Sequence, residues 1–211
     1  MENQKRSTVF LNKWNTALAQ LNTTIINKYS RLRSILFLLP LILLALIVLF
    51  LYSQAAFNAT GYTQIQKNCF LFINSHLGQY PSLQFNLTQL GDALISLSIL
   101  SIFVLYAPRI WEALIPGLLV SLLFSSALKP LLTVPRPAAV FDNNSFIIVG
   151  KKLTGLNSTP SGHSITIFAV LAVLLFAFAP QKRGAKMIWF FVAVSTGLLV
   201  AFSRVGVGAH Y

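Results

Sequence analysis

Between Ser34 and Tyr52 the chain reads SILFLLPLILLALIVLFLY, 19 residues without a charge. About 20 apolar residues in a helix cross the hydrocarbon core of a bilayer, about 30 Å thick. Lipid offers backbone groups no hydrogen-bond partner, so only helices and closed barrels can span it. A cleaved signal peptide has a shorter apolar core, about 7–15 residues, and a small-residue cleavage site. Although Gln-Ala-Ala follows at 54–56, the length makes this run a retained membrane helix. Four more apolar stretches follow, so spans are expected near 34–52, 84–106, 110–128, 164–179 and 187–203. With 55% hydrophobic and only 9% charged residues, the chain is far from the roughly 25% charge of a soluble domain. The expected fold class is all-α, a polytopic membrane helical bundle. Without internal repeats or low-complexity tracts, residues 34–211 read as one membrane domain behind an N-terminal segment, 1–33.

Sixteen Lys and Arg face four acids, a net charge of +12. A nucleic-acid site would need these cations on a soluble face. Here most of them flank apolar spans, so they report topology, and no nucleic-acid partner is expected. Lys5, Arg6, Lys13, Lys28, Arg31, Arg33, Arg109, Lys182, Arg183 and Lys186 fall on one side if there are five crossings. That side is expected to be cytoplasmic. Lys67, Lys129, Arg136, Lys151, Lys152 and Arg204 fall on the other, with the long connections 53–92 and 129–163. In the first connection Phe70, Ile73 and Leu77 recur at helical spacing, which predicts an interfacial helix lying on the membrane. The lone Cys69 excludes an internal disulfide. Cys69 and His76 lie among apolar residues and read as packing.

Three stretches carry chemistry: KPLLTVPRP (129–137), PSGH (160–163) and SRVGVGAH (203–210). Each sits at the non-cytoplasmic end of a span. They offer Lys129 and Arg136, then Ser161, Gly162 and His163, then Ser203, Arg204 and His210. None contains a carboxylate, and Asp142 is the nearest acid in sequence. Two histidines without carboxylate or thiolate partners do not complete a divalent-metal shell, so no metal is expected. Phosphate fits the set. Lys and Arg supply charge-assisted hydrogen bonds. Pro160 and a Ser161 N-cap start a helix whose free N–H groups favour an anion, and Gly162 lets that backbone come close. Two histidines can divide phosphoryl transfer between nucleophile and general acid. Taken singly, each cation is more simply a snorkelling anchor and each histidine a surface residue. The joint pattern favours the site.

Lys, six residues, Arg-Pro; then Pro-Ser-Gly-His; then Ser-Arg, five residues, His: in this order the motifs resemble those of the type 2 phosphatidic acid phosphatase superfamily. LTQLGDAL (87–94) is similar to members of that family as well. The resemblance covers about residues 90–211. It implies that Lys129, Arg136 and Arg204 hold a phosphate, with Ser161 and the Gly162 N–H completing the cradle. It also implies His163 as general acid, His210 as the nucleophile forming a phosphohistidine, and no cofactor. The family pattern continues three residues past the last His to an Asp that orients it, and the family core has six helices. This chain stops at Tyr211, so we expect five spans of a six-helix core and a C-terminally incomplete domain.

The expected function is therefore a metal-independent, integral membrane phosphatase acting on a lipid phosphate or diphosphate monoester at the non-cytoplasmic face. Phosphatidic acid, phosphatidylglycerol phosphate, undecaprenyl diphosphate and the phosphates of lipid A are all open. A lipid phosphotransferase is the neighbouring alternative, and a transporter with an anion site is the alternative of another class. Transporters place such sites near the bilayer midplane, whereas these cations stand at helix ends. The expected partners are the lipid substrate and the membrane, without an obligate protein partner. A compact chain of this kind suggests a bacterial inner (plasma) membrane, with the site facing the periplasm or exterior.

Overall fold

The computed structural model describes residues 2–30, 35–56 and 58–211. Arg31, Arg33 and Ser34, used above for topology and for the first span, lie outside the described residues. The helices are α1 (Glu2–Ser30), α2 (Ile35–Ser53), α3 (Ala59–Leu77), α4 (Pro81–Gln89), α5 (Ala93–Leu100), α6 (Phe103–Tyr106), α7 (Arg109–Leu132), α8 (Pro137–Val140), α9 (Gly162–Ala177) and α10 (Arg183–Gly206). Among the described residues there is no strand. The fold is an all-α membrane bundle.

α7 and α10 are each long and apolar enough to cross a bilayer, and α9 is a shorter apolar helix between them. Their outer faces are apolar and exposed, for example Leu122, Leu123 and Phe124 on α7 and Ile188 and Phe191 on α10. Residues 38–50 of α2 are exposed all round. A helix apolar on every side belongs in lipid rather than water. α9 packs between α7 and α10, with Leu100, Leu114 and Val170 forming a small core.

Two further clusters close the ends of the bundle. At one end α1 packs on α7 and α9 through fully buried Ile25, against Ala107, Ile110 and Ala177. There Lys28 Nζ donates to the carbonyls of Ala177 (3.0 Å) and Ala179 (2.9 Å). A cation thus satisfies carbonyls left without partners at the end of α9. At the opposite end α3 and α4 pack on α10, and Phe70 inserts among Ala138, Phe146 and Val205.

Four local expectations are corrected. Residues 84–106 form a succession of short helices, because Asp92 Oδ1 accepts from the N–H groups of Leu94 (2.9 Å) and Ile95 (3.1 Å) and starts a new helix there. The interfacial helix is α3, but Phe70 is 1% exposed against protein. Its apolar face was bought by α10 and the loop at 141–148 rather than by the membrane surface. Cys69 and His76 are exposed, not packed. α7 also runs to Leu132, beyond the expected 128, which puts Lys129 in its last turn.

Candidate functional site

The site is assembled from three helix ends and one loop. Lys129 stands in the last turn of α7, half-buried, at the mouth of a groove between α5, α7 and α9. The chain leaves α7 through Thr133 in the left-handed region (φ 44°) and turns into the proline-rich segment. Two backbone bonds hold that segment to the residues before α9: Arg136 N–H to the Gly155 carbonyl (2.8 Å) and Ser158 N–H to the Val134 carbonyl (3.0 Å). Arg136 is thereby fixed. Its Nε donates to Asn157 Oδ1 (2.9 Å) and its Nη1 to the Ala209 carbonyl (2.9 Å).

Ser161 is the N-cap of α9, its hydroxyl accepting from the Ser164 N–H at 3.5 Å. It does not line the groove, whereas Gly162 and His163 do. A Cβ at Gly162 would meet open space. The α9 N-terminus is therefore bare on its groove side, where its N–H groups can meet an anion.

Arg204 is in the last turn of α10 and only 8% exposed. Its Nη1 donates to Thr88 Oγ1 on α4 at 2.9 Å, while its Nε is buried without a partner. Ser203 is turned away, its hydroxyl donating to the Val200 carbonyl. Past α10 the chain reverses at Gly208 (φ 75°), a left-handed position that suits glycine. The N–H groups of Ala209 and His210 then fold back on the Arg204 carbonyl at 3.0 and 3.2 Å. Buried Asn74 on α3 locks this turn, donating to the carbonyls of Ile147, Val205 and Gly206 and accepting from the Ile147 N–H.

His210 is 7% exposed. Its Nδ1 lies 2.5 Å from the Ser158 carbonyl. A carbonyl only accepts, so Nδ1 carries the hydrogen and Nε2 keeps its lone pair. Nε2 is 3.4 Å from Arg136 Nη1. Burial, then the charges of Arg204 and Arg136, push the His210 pKa down to about 3, with the Ser158 bond opposing and His163 adding to the push. The imidazole is thus neutral at ordinary pH, and its unprotonated Nε2 accepts a long hydrogen bond from Arg136 Nη1. Burial also lowers Arg136 from its ordinary value.

The structure thus brings Arg136, Arg204, His163 and His210 into one electrostatic neighbourhood. Lys129, Arg136 and Arg204 also act on His163. Among the described residues no group of three or more His, Cys, Asp or Glu is placed to hold a metal ion. The motifs leave several residues unmarked: Thr88 beneath Arg204, Asn157 and the Ser158 carbonyl behind Arg136 and His210, and Asn74. They also miss Asp92, the carboxylate that lines the groove with His163; Asp142 caps a turn in its own loop through the Asn144 N–H. LTQLGDAL, which contains Thr88 and Asp92, held the one available signal.

The PAP2 superfamily model matches residues 111–211, the stretch that supplies the two histidines and three cations. The crystal structure of LpxE from Aquifex aeolicus superposes on this chain with a TM-score of 0.53. That similarity covers 68% of this chain and 81% of LpxE at 21% identity, a likeness of fold. It reaches beyond the PAP2 segment into the N-terminal half, since 68% of the chain exceeds the matched stretch. No curated protein sequence matches the chain.

Proposed function

We propose that this PAP2 protein is an integral membrane lipid phosphatase, hydrolysing a lipid phosphate or diphosphate monoester at the non-cytoplasmic face through a phosphohistidine. The observation that carries the reading is the fixed tautomer of His210, whose unprotonated Nε2 faces Arg136 Nη1, with the unpartnered Arg204 Nε nearby. In the first step Nε2 attacks phosphorus while the bond to the leaving oxygen breaks. His163 delivers its proton to that oxygen. Arg136, Arg204 and Lys129, with the Gly162 N–H, stabilise the charge on the other phosphoryl oxygens. In the second step water attacks the phosphohistidine, His163 takes a proton from the water, and inorganic phosphate leaves.

The groove supports a lipid substrate. It has a volume of about 430 Å³, with Lys129, Asp92 and His163 at its polar end. Leu97, Ile115, Leu118 and Leu122 make its walls apolar. The apolar walls suit an acyl chain and the polar end suits a phosphate beside His163, while Arg136, Arg204 and His210 stand outside this lining. A screen of phosphate release from membrane-embedded protein tests this, using phosphatidic acid, phosphatidylglycerol phosphate, undecaprenyl diphosphate and lipid A. Release from at least one, abolished in His210→Ala, is expected. No release from any of them, or release undiminished in His210→Ala, would overturn the reading.

A further inference from the structure

A general acid works only while it holds its proton, and His163 stands in a poor place to hold one. Burial acts first against the protonated form, and Arg204 from α10, Arg136 from the segment before α8 and Lys129 from α7 add positive charge to it. Its own helix, α9, carries no other charged residue. The remaining charge that reaches it is Asp92, at the start of α5. Asp92 and His163 line the same groove. The residue beside Asp92 is packed on the histidine: a Cβ on Gly91 would stand 2.8 Å from both the Cβ and the carbonyl oxygen of His163. A side chain at 91 would thus push the α5 cap off α9. One carboxylate oxygen of Asp92, Oδ1, caps α5, and no hydrogen bond engages Oδ2. Of the other acids, Glu112 pairs with Arg109 and Asp142 caps its own turn.

We infer that Asp92 is a positioning residue for the reaction, its carboxylate beside the groove offsetting the surrounding cations so that the His163 imidazole takes up a proton more readily than it would without it. This rests on the proposed role of His163 as general acid. A carboxylate beside a phosphate site repels the incoming dianion, so its place there calls for a compensating gain. Stabilising the imidazolium against three cations is that gain. Asp92 touches neither the phosphorus nor the leaving oxygen in this scheme; the proton moves from His163.

The test is Asp92→Asn, which keeps an oxygen to cap α5, since Asn and Asp cap comparably, and removes only the charge. Phosphate release is followed against pH for a lipid phosphate and for an aryl phosphate, whose leaving group departs without a proton. The basic limb of kcat on the lipid phosphate should move to lower pH by about one unit, within the range expected for loss of an adjacent opposite charge. Activity at the acid end should stay within a few-fold of wild type, and the aryl substrate should show little change. An unshifted profile, or an equal loss on both substrates at every pH, would overturn the inference and leave Asp92 as a helix cap. Full activity of His163→Ala on the lipid phosphate would instead bring down the reading on which the inference rests.

Discussion

The two ends of the bundle are both rich in Lys and Arg, and they use them in opposite ways. At the α1 end Lys28 is spent on two backbone carbonyls, Arg109 pairs with Glu112, and Lys182, Arg183 and Lys186 are exposed. At the other end Arg204 is buried, Arg136 is half-buried, and their partners are neutral: a threonine hydroxyl, an asparagine oxygen and a backbone carbonyl. Exposed cations are solvated and stabilise little. Buried cations held by neutral groups retain their need for an anion. Composition cannot distinguish the two ends; burial and pairing do.

If this contrast is correct, substitutions at the two ends should fall into different assays. The largest effect is expected for His210→Ala, with turnover on a lipid phosphate falling by at least about 10⁴-fold, the scale seen when a nucleophile is removed. The protein should remain folded, as judged by its thermal midpoint in detergent. His163→Ala should lose roughly 10²–10⁴-fold on the same lipid, the usual contribution of a general acid. On an aryl phosphate it should lose far less. Equal losses on the two substrates would show that His163 does not protonate the leaving group.

A pH effect on stability should come from the site end. His210 has a folded-state pKa near 3 against an ordinary 6.5. Between these values the unfolded chain binds more protons, so stability falls as pH is lowered from about 6.5 toward about 3. It is fully present above about 6.5. His210→Gln should flatten that slope in a denaturation series from pH 7 to pH 4. The smallest effect is expected at the other end. Lys28→Met keeps the apolar stem but removes two charge-assisted bonds, costing about 2 kcal/mol of stability and leaving kcat/KM unchanged. A change in kcat/KM with stability intact would break the distinction between the ends.

Much of the site was legible because its chemistry is concentrated in short motifs. Lys129, Arg136, His163, Arg204 and His210 each stand at the end of an apolar run, and apolar runs reveal where helices end. The supports were not legible. Thr88 meets Arg204 across 116 positions, and the Ser158 carbonyl that orients His210 is a backbone group no side chain announces. The α3 error has a different cause. Periodicity shows that Phe70 sits on a dry face, but lipid and protein dry a face equally well. The break at residues 90–92 depends on Asp92 acting as a cap, which a reading dominated by the apolar residues around it passes over.

The central claim is that the neutral Nε2 of His210, set among cations that have no anionic partner, attacks phosphorus. The direct measurement is an acid-free quench of the membrane-embedded protein during turnover of a lipid phosphate, followed by peptide mass spectrometry. The account predicts one phosphoryl group on the peptide carrying His210, absent in His210→Ala and accumulating in a variant that slows water attack. A phosphoryl group on His163 or Ser161, or steady turnover with no phosphorylated histidine at any quench time, would contradict it.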